Sequence, residues 1–375
     1  MSQDGLIFAL ESKVEKVHTQ SLDLSFNELL DMFKDGELDI NPDYQRLFRW
    51  SQGAQSRFIE SLLLEMPVPP IYVVEDDNGK YQLIDGLQRF SSYLHLRGEL
   101  DALHLADPIK KGDHLKLQEC DIVEELNGLV FEDFPTALKI RLKRAFVRVE
   151  VVRKGSDNKF RYHMFKRLNT GGEPLTSQQL RNCTIRMLDS KFIDFVIQLS
   201  KTADFEACTA KISEQQRLGA FDQELVIRYL ALKNYKHAFV HDVSDFLTEY
   251  TEKVTENDDV NVVFDYTSEE LAFGKTFAVL NKCLGDKSFG RWGKADVQSN
   301  FSVYHFEALS VGLQPYLDKI DISNGNHVEL VKQKLTEIKA DAEFVRDTTG
   351  GGKNSPGPLN NRIRVVVDKL GELNL

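Results

Sequence analysis

The chain has 375 residues, 42% of them hydrophobic and 28% charged, with a formal net charge of −11 at pH 7. That is the composition of a water-soluble globular protein too long for one ordinary core, so two domains are expected. No apolar run approaches membrane-spanning length and Met1-Ser2-Gln3-Asp4-Gly5 lacks a basic start, which argues against a membrane-spanning or secreted protein and points to the cytoplasm.

Ser25-Phe26-Asn27-Glu28 is a capping box opening a short amphipathic helix through Met32 and Phe33, stopped by Asp35-Gly36. Leu38-Asp39-Ile40 reads as a brief strand ended by Asn41-Pro42. Phe58, Ile59, Leu62 and Leu63 fall at helical spacing over 55–64, and Pro67, Pro69 and Pro70 break that helix. Ile71-Tyr72-Val73-Val74 and Tyr81-Gln82-Leu83-Ile84 flank Asp77-Asn78-Gly79, whose Asn-Gly pair signals a hairpin. A helix is expected over 90–96, strand-like pieces at 114–118 and a helix at 135–144. Over 146–152 the alternation predicts a half-buried strand with Val147, Val149 and Val151 on one side. A further helix, 159–168, ends at Asn169-Thr170-Gly171-Gly172.

Beyond residue 177 helical patterns dominate, at 178–189, 192–199, 223–234, 243–255, 269–284, 304–320 and 328–345. The expected fold class is therefore α+β, with a small mixed sheet in a first domain, 1–176, and an all-helical second domain, 177–375. Gly350-Gly351-Gly352-Lys353 is not a phosphate-binding loop, because Asp347 stands where the first glycine of that motif belongs and Asn354 follows the lysine. Cys120, Cys183, Cys208 and Cys283 are scattered singly, against a zinc ribbon or a disulfide framework. His237 and His241 are four apart and able to share a helix face, but nothing nearby completes a metal site.

Charge is distributed unevenly. Between Lys139 and Arg167 eleven basic residues, among them Lys139, Arg141, Lys143, Arg144 and Arg148, face only Glu150 and Asp157. From His241 to Glu270 ten acids oppose Lys253 alone. A local basic face attracts phosphates even on an acidic protein, since exposed charges more than about 10 Å apart are screened. The same residues are equally readable as ordinary solvated helix faces.

The richest chemistry lies in Tyr81-Gln82-Leu83-Ile84-Asp85-Gly86-Leu87-Gln88-Arg89-Phe90. A strand running through Asp-Gly into a helix aims free backbone N–H groups, the positive helix end and a guanidinium at one spot, which suits a phosphate. In that reading Asp85 holds a metal or a water, Gly86 admits a phosphate to the backbone, Gln88 orients a water or a ribose, and Arg89 clamps phosphate oxygens. The plainer reading makes Asp85 an N-cap, Gly86 a turn and Arg89 a surface ion pair. Upstream, Tyr44-Gln45-Arg46-Leu47-Phe48-Arg49-Trp50 packs aromatics around arginines, either to stack a base or to seat the segment on the core.

Three elements in this order, Pro42-x-Tyr44-Gln45-Arg46…Trp50, then Ile84-Asp85-Gly86-x-Gln88-Arg89, then Phe165-x-x-Leu168-Asn169-x-x-Gly172-x-x-Leu175, resemble the N-terminal domain of GmrSD-type modification-dependent restriction enzymes. That domain is similar to the ParB/sulfiredoxin fold and is shared with SspE-type proteins, and the resemblance covers 22–182. It implies nucleoside triphosphate binding with magnesium-dependent hydrolysis, with Asp85, Gln88 and Arg89 as catalytic residues. Gln45, Arg46, Gly86 and Asn169 would line the same pocket. Leu87 stands where the family has a glutamine. The family's HNH nuclease element, a His-x-x-Pro, is not found after Ser177. Contact of Lys139, Arg141, Lys143, Arg144 and Arg148 with a DNA backbone, and a role against foreign DNA, are the corresponding expectations. The alternatives are an adaptor that binds nucleotide and DNA and recruits a separate nuclease subunit, and a stand-alone nuclease using the same pocket.

Overall fold

A computed structural model gives the fold and describes residues 7, 18–40, 48–76, 78–103, 105, 107–154, 156, 164, 176–186, 188–240, 242–257, 262–293 and 296–374. The chain divides into two compact units, Met1–Pro174 and Leu175–Leu375.

The first unit is built on a mixed sheet of β1 (Thr19–Ser25), β2 (Leu38–Asp39), β3 (Ile71–Glu75), β4 (Tyr81–Asp85) and β5 (Phe146–Val152), in the order β1-β5-β3-β4-β2. β1 runs antiparallel to β5, β5 parallel to β3, β3 antiparallel to β4 and β4 parallel to β2. The α+β class expected from the sequence is thus the one found. Period-two alternation decides which face of β5 is covered: Val147, Val149 and Val151 are buried, while Phe146 and Arg148 point to solvent. The helices α1 (Phe26–Lys34), α2 (Gln52–Leu63), α3 (Leu87–Leu96) and α4 (Thr136–Arg144) complete the unit. Ser25 closes β1 and caps α1, its hydroxyl accepting from the Glu28 N–H at 3.0 Å.

The hairpin between β3 and β4 forms where the Asn-Gly pair predicts it. Its ladder slips by one residue: Val73 pairs with Leu83, but Tyr72 pairs with Asp85, so Ile84 is the extra residue of a β-bulge. The strand expected at 114–118 does not form. The Leu115 N–H bonds to the His95 carbonyl at 3.1 Å and the Leu117 N–H to the Leu129 carbonyl at 2.9 Å, so a helix and a turn take the bonds a ladder would need. The helix expected over 159–168, apart from Met164, which is helical, the Asn169 loop and the Gln45-Arg46 segment lie outside the described residues.

The second unit is helical. It comprises α5 (Ser177–Arg186), α6 (Lys191–Ser200), α7 (Ala203–Cys208), α8 (Glu214–Leu218), α9 (Phe221–Asn234), α10 (Val243–Glu256), α11 (Tyr266–Leu284), α12 (Val303–Gly312), α13 (Gly325–Ala340), α14 (Ala342–Thr348) and α15 (Pro356–Gly371). Two expected helices are shorter than their patterns. That over 304–320 stops at Gly312 because Pro315 cannot continue it, leaving a 3-10 turn at Gln314–Tyr316. That over 328–345 divides at Asp341, which adopts an extended conformation and caps α14 through the Glu343 and Phe344 N–H groups. His237 lies in the 3-10 turn Lys236–Ala238, so it forms no shared helix face with His241, which is outside the described residues.

Aromatic rings fill this second core. Phe277 sits 4.4 Å from Phe273 and 4.9 Å from Phe205, centroid to centroid, with Tyr229 and Phe306 next to it. Cys120, Cys183, Cys208 and Cys283 are all buried, and none is in a disulfide. Among the described residues no helix is long and apolar enough to cross a membrane.

Two charged arrangements are buried in the helical unit. Glu307 on α12 pairs with Arg228 on α9 at 2.6 Å and with Arg362 on α15 at 2.5 Å, and Arg228 also reaches Glu224 at 2.8 Å. Separately, the fully buried Lys339 Nζ donates to the Ser288 and Gly290 carbonyls, both at 2.8 Å, fastening the loop after α11 to α13. Burial pushes this amine down from the usual 10.5 to about 7. A neutral amine has two N–H groups, which two carbonyls satisfy.

The sign of the resulting pH dependence follows. Between about pH 7 and 10.5 the unfolded chain holds the Lys339 proton and the folded chain does not, so stability rises with pH across that window. Below about pH 7 the cost of a buried charge is carried in full. Urea midpoints from pH 7 to 10 are expected to climb more steeply for the wild type than for Lys339→Met. Parallel curves would mean that the lysine is not neutralised on folding.

Candidate functional site

The bulge at Ile84 buries both Leu83 and Ile84 and delivers Asp85 to the end of β4, directly before Gly86. Gly86 has φ +102°, the left-handed region that an L side chain seldom enters, and it is the N-cap of α3. A Cβ here would lie 2.8 Å from Ile71 Cγ1, so the close approach of β3 also requires glycine. As a glycine, Gly86 offers no side chain to cap α3, whose first turn is the positive end of the helix dipole.

Arg89 turns back over this start. Its Nη2 donates to Asp85 Oδ2 at 3.0 Å and to the Pro70 carbonyl at 2.9 Å, and its side chain is only 16% exposed. Arg89 Nε is buried without a hydrogen-bond partner among the described residues. The structure therefore brings Asp85, Gly86 and Arg89 together as the sequence anticipated. Gln88 has a different post: its Oε1 accepts from the Arg49 N–H at 3.0 Å and the Trp50 N–H at 3.1 Å, tying the 48–50 segment to the first turn of α3. Leu87 is buried, and so is Phe48, which favours the core-seating reading of the upstream aromatics. Gln45, Arg46 and Asn169 lie outside the described residues.

Residues 26–186 match the family model described as the N-terminal domain of the GmrSD restriction endonuclease. The matched region is similar to the GmrSD N-terminal domain. The match runs from the first residue of α1 to the last of α5, and no curated protein matches the chain.

The basic residues of this GmrSD-type region divide into two sets. Arg141 and Arg144 on α4 and Arg148 on β5 surround one cleft of about 800 Å3, bounded also by the end of α2 and by Met66, Pro67 and Val68. Arg141 pairs with Glu65 at 3.4 Å and Arg148 with Asp23 at 3.2 Å, while Arg144 is exposed with no polar partner among the described residues. Lys139 instead donates to the Glu132 carbonyl at 2.7 Å and lies over the Phe131 ring, and Lys143 is exposed outside the cleft lining. Sequence reading missed the contributions of Pro70, Ile71 and Phe146. No local motif marks a carbonyl that receives a guanidinium from nineteen positions away. The exposed end of an alternating strand, at Phe146, was a readable signal.

The donor set bears on the ligands the family suggests. Among the described residues no group of three or more His, Cys, Asp or Glu side chains is placed to hold a metal ion. Asp85 is a single carboxylate already paired with Arg89. Magnesium commonly takes one or two carboxylates together with phosphate oxygens, and Asp85 would be the one carboxylate this helix start offers it.

Proposed function

We propose that the GmrSD-type region binds a nucleoside triphosphate at the start of α3 and hydrolyses it with magnesium, coupled to contact with a DNA backbone along α4 and β5, in defence against foreign DNA. The observation that carries this reading is the uncapped helix start at Gly86, crossed by the Arg89 guanidinium with its buried Nε. Gly86 would let phosphate oxygens meet backbone amides, Arg89 would neutralise them, and Asp85 would hold magnesium or an attacking water. Magnesium would supply charge neutralisation on the phosphates. The family name, a restriction endonuclease, supports DNA as the larger partner, and exposed Lys143 and Arg144 suit phosphate contacts that position without reading sequence.

One observation favours a second reading, a binding module that holds nucleotide without turnover and recruits a separate nuclease subunit. The Gln88 carbonyl oxygen is occupied by two backbone N–H groups, which removes it from orienting a water. Phosphate release from ATP, GTP, CTP and UTP with magnesium, with and without DNA, separates the two. Arg89→Ala is expected to reduce turnover by about 100-fold or more, the usual loss of a group that stabilises developing charge. Nucleotide binding that depends on Arg89 without phosphate release would select the second reading. Binding and turnover both untouched by the substitution would remove the site from α3.

A further inference from the structure

We infer that the cleft between the end of α2, α4 and β5 receives an unstacked nucleobase, with the adjoining phosphates held by Arg141, Arg144 and Arg148. This rests on the reading above that the domain meets DNA, and it names what the cleft takes from it. The cleft is not simply a basic face. Much of its lining is apolar, with Met66, Pro67 and Ile140, and the Phe146 ring that also lines it is 69% exposed. Its volume of about 800 Å3 falls within the roughly 300–1,000 Å3 of sites that enclose small ligands.

Backbone contact with a duplex accounts for the arginines and for nothing else here. A duplex lying across the cleft would set a continuous run of phosphates against Met66, Ile140 and Phe146 and against the carboxylates of Asp23 and Glu65. The lining carries three guanidiniums against two carboxylates, an arrangement suited to one or two phosphates. A base out of its stack offers a flat π face to the apolar part of the lining, and aromatic side chains beside basic groups are the general platform for such bases. Phe146 and Arg148 alternate onto the same face of β5, and Arg141 and Arg144 are three apart on α4, so ring and cations converge from two elements. The wall is also conformationally costly. Glu65 holds φ +58° at the end of α2, a place usually given to glycine, and there its carboxylate steadies Arg141.

The test uses the full chain and fluorescence anisotropy with three labelled DNAs: a paired duplex, the same duplex with one unpaired nucleotide, and a single strand. The unpaired nucleotide is expected to improve affinity over the duplex by about tenfold, the range of one base–aromatic stack. Phe146→Ala is expected to abolish that gain and leave duplex affinity unchanged, and Phe146→Trp to restore it. Arg144→Ala is expected to weaken all three and to lower the salt slope by about one. Equal affinity for duplex and bulged DNA, or a gain that survives Phe146→Ala, overturns the base pocket while leaving DNA binding intact. Absence of binding to every DNA overturns both. Binding of an acidic peptide instead, with the same Phe146 and Arg144 dependence, assigns the cleft to a protein partner and overturns the inference.

Discussion

Glu307→Ala is expected to destabilise the helical unit by about 3–5 kcal/mol, the usual cost of removing one partner from a buried ion pair. Glu307 is a single carboxylate serving two guanidiniums, and all three side chains are largely shielded from water. Arg362 has further contacts, to the Lys353 carbonyl at 2.8 Å and over the Tyr304 ring at 4.8 Å, but neither carries charge. Without Glu307, Arg228 retains Glu224 and Arg362 retains no anion among the described residues. Its Nε is already buried without a partner among the described residues, so the site has little slack. Glu307→Gln keeps the shape and one acceptor oxygen and is expected to lose less. The control is Arg364→Ala, which breaks a pair of equal length, 2.5 Å to Glu343, at half-exposed positions. Its loss is expected to stay below about 1 kcal/mol, because water screens the pair. Urea unfolding followed by circular dichroism, with the slope unchanged between variants, measures each. A Glu307→Ala loss as small as the control's would mean that solvent reaches the network.

The second large effect is expected at Gly86. An alanine there adopts a left-handed conformation at a cost of about 1–2 kcal/mol, and its methyl meets Ile71 at 2.8 Å, which adds about 1–3 kcal/mol of overpacking. Relief requires either β3 to withdraw or α3 to tilt, and both move Arg89 away from Asp85 and Pro70. Nucleotide binding is therefore expected to be lost along with stability. Gly36→Ala separates strain from crowding, since Gly36 also has a positive φ, +72°, but a Cβ there meets nothing within 4 Å. It is expected to cost the backbone term alone and to leave nucleotide binding intact. Equal losses in the two variants would show that the close approach of Ile71 to Gly86 is of no consequence.

Much of this fold was legible because its signals are local. The Asn-Gly turn located the β3–β4 hairpin, Ser25 located the start of α1, and the valines of β5 marked its buried face. What escaped depended on partners distant in sequence. The stretch 114–118 has the alternation of a strand, but its Leu115 and Leu117 amides bond to the carbonyls of His95 and Leu129 instead of a ladder. α15 begins with Ser355-Pro356, a readable start, and its Leu359, Ile363, Val366 and Leu370 recur at helical spacing, yet Pro358 and the preceding glycines obscure them. The site divides in the same way. Asp85, Gly86 and Arg89 are neighbours in sequence and were readable as a group. Gln88 sits among them and faces elsewhere, because its partners are two amides thirty-eight and thirty-nine positions upstream.

The prolines after α2 have a mechanical meaning. Met66, Pro67 and Val68 form a wall of the basic cleft, the Pro70 carbonyl receives Arg89, and Ile71 presses against Gly86. The six consecutive residues 66–71 thus run from one place to the other, and three of them have a backbone that cannot rotate freely about φ. Such a run behaves as a strut: it has little capacity to absorb a displacement at one end by bending in the middle. A displacement of Pro70 would therefore be passed toward the cleft rather than absorbed on the way, since the distance between the two places is set by a rod rather than a string.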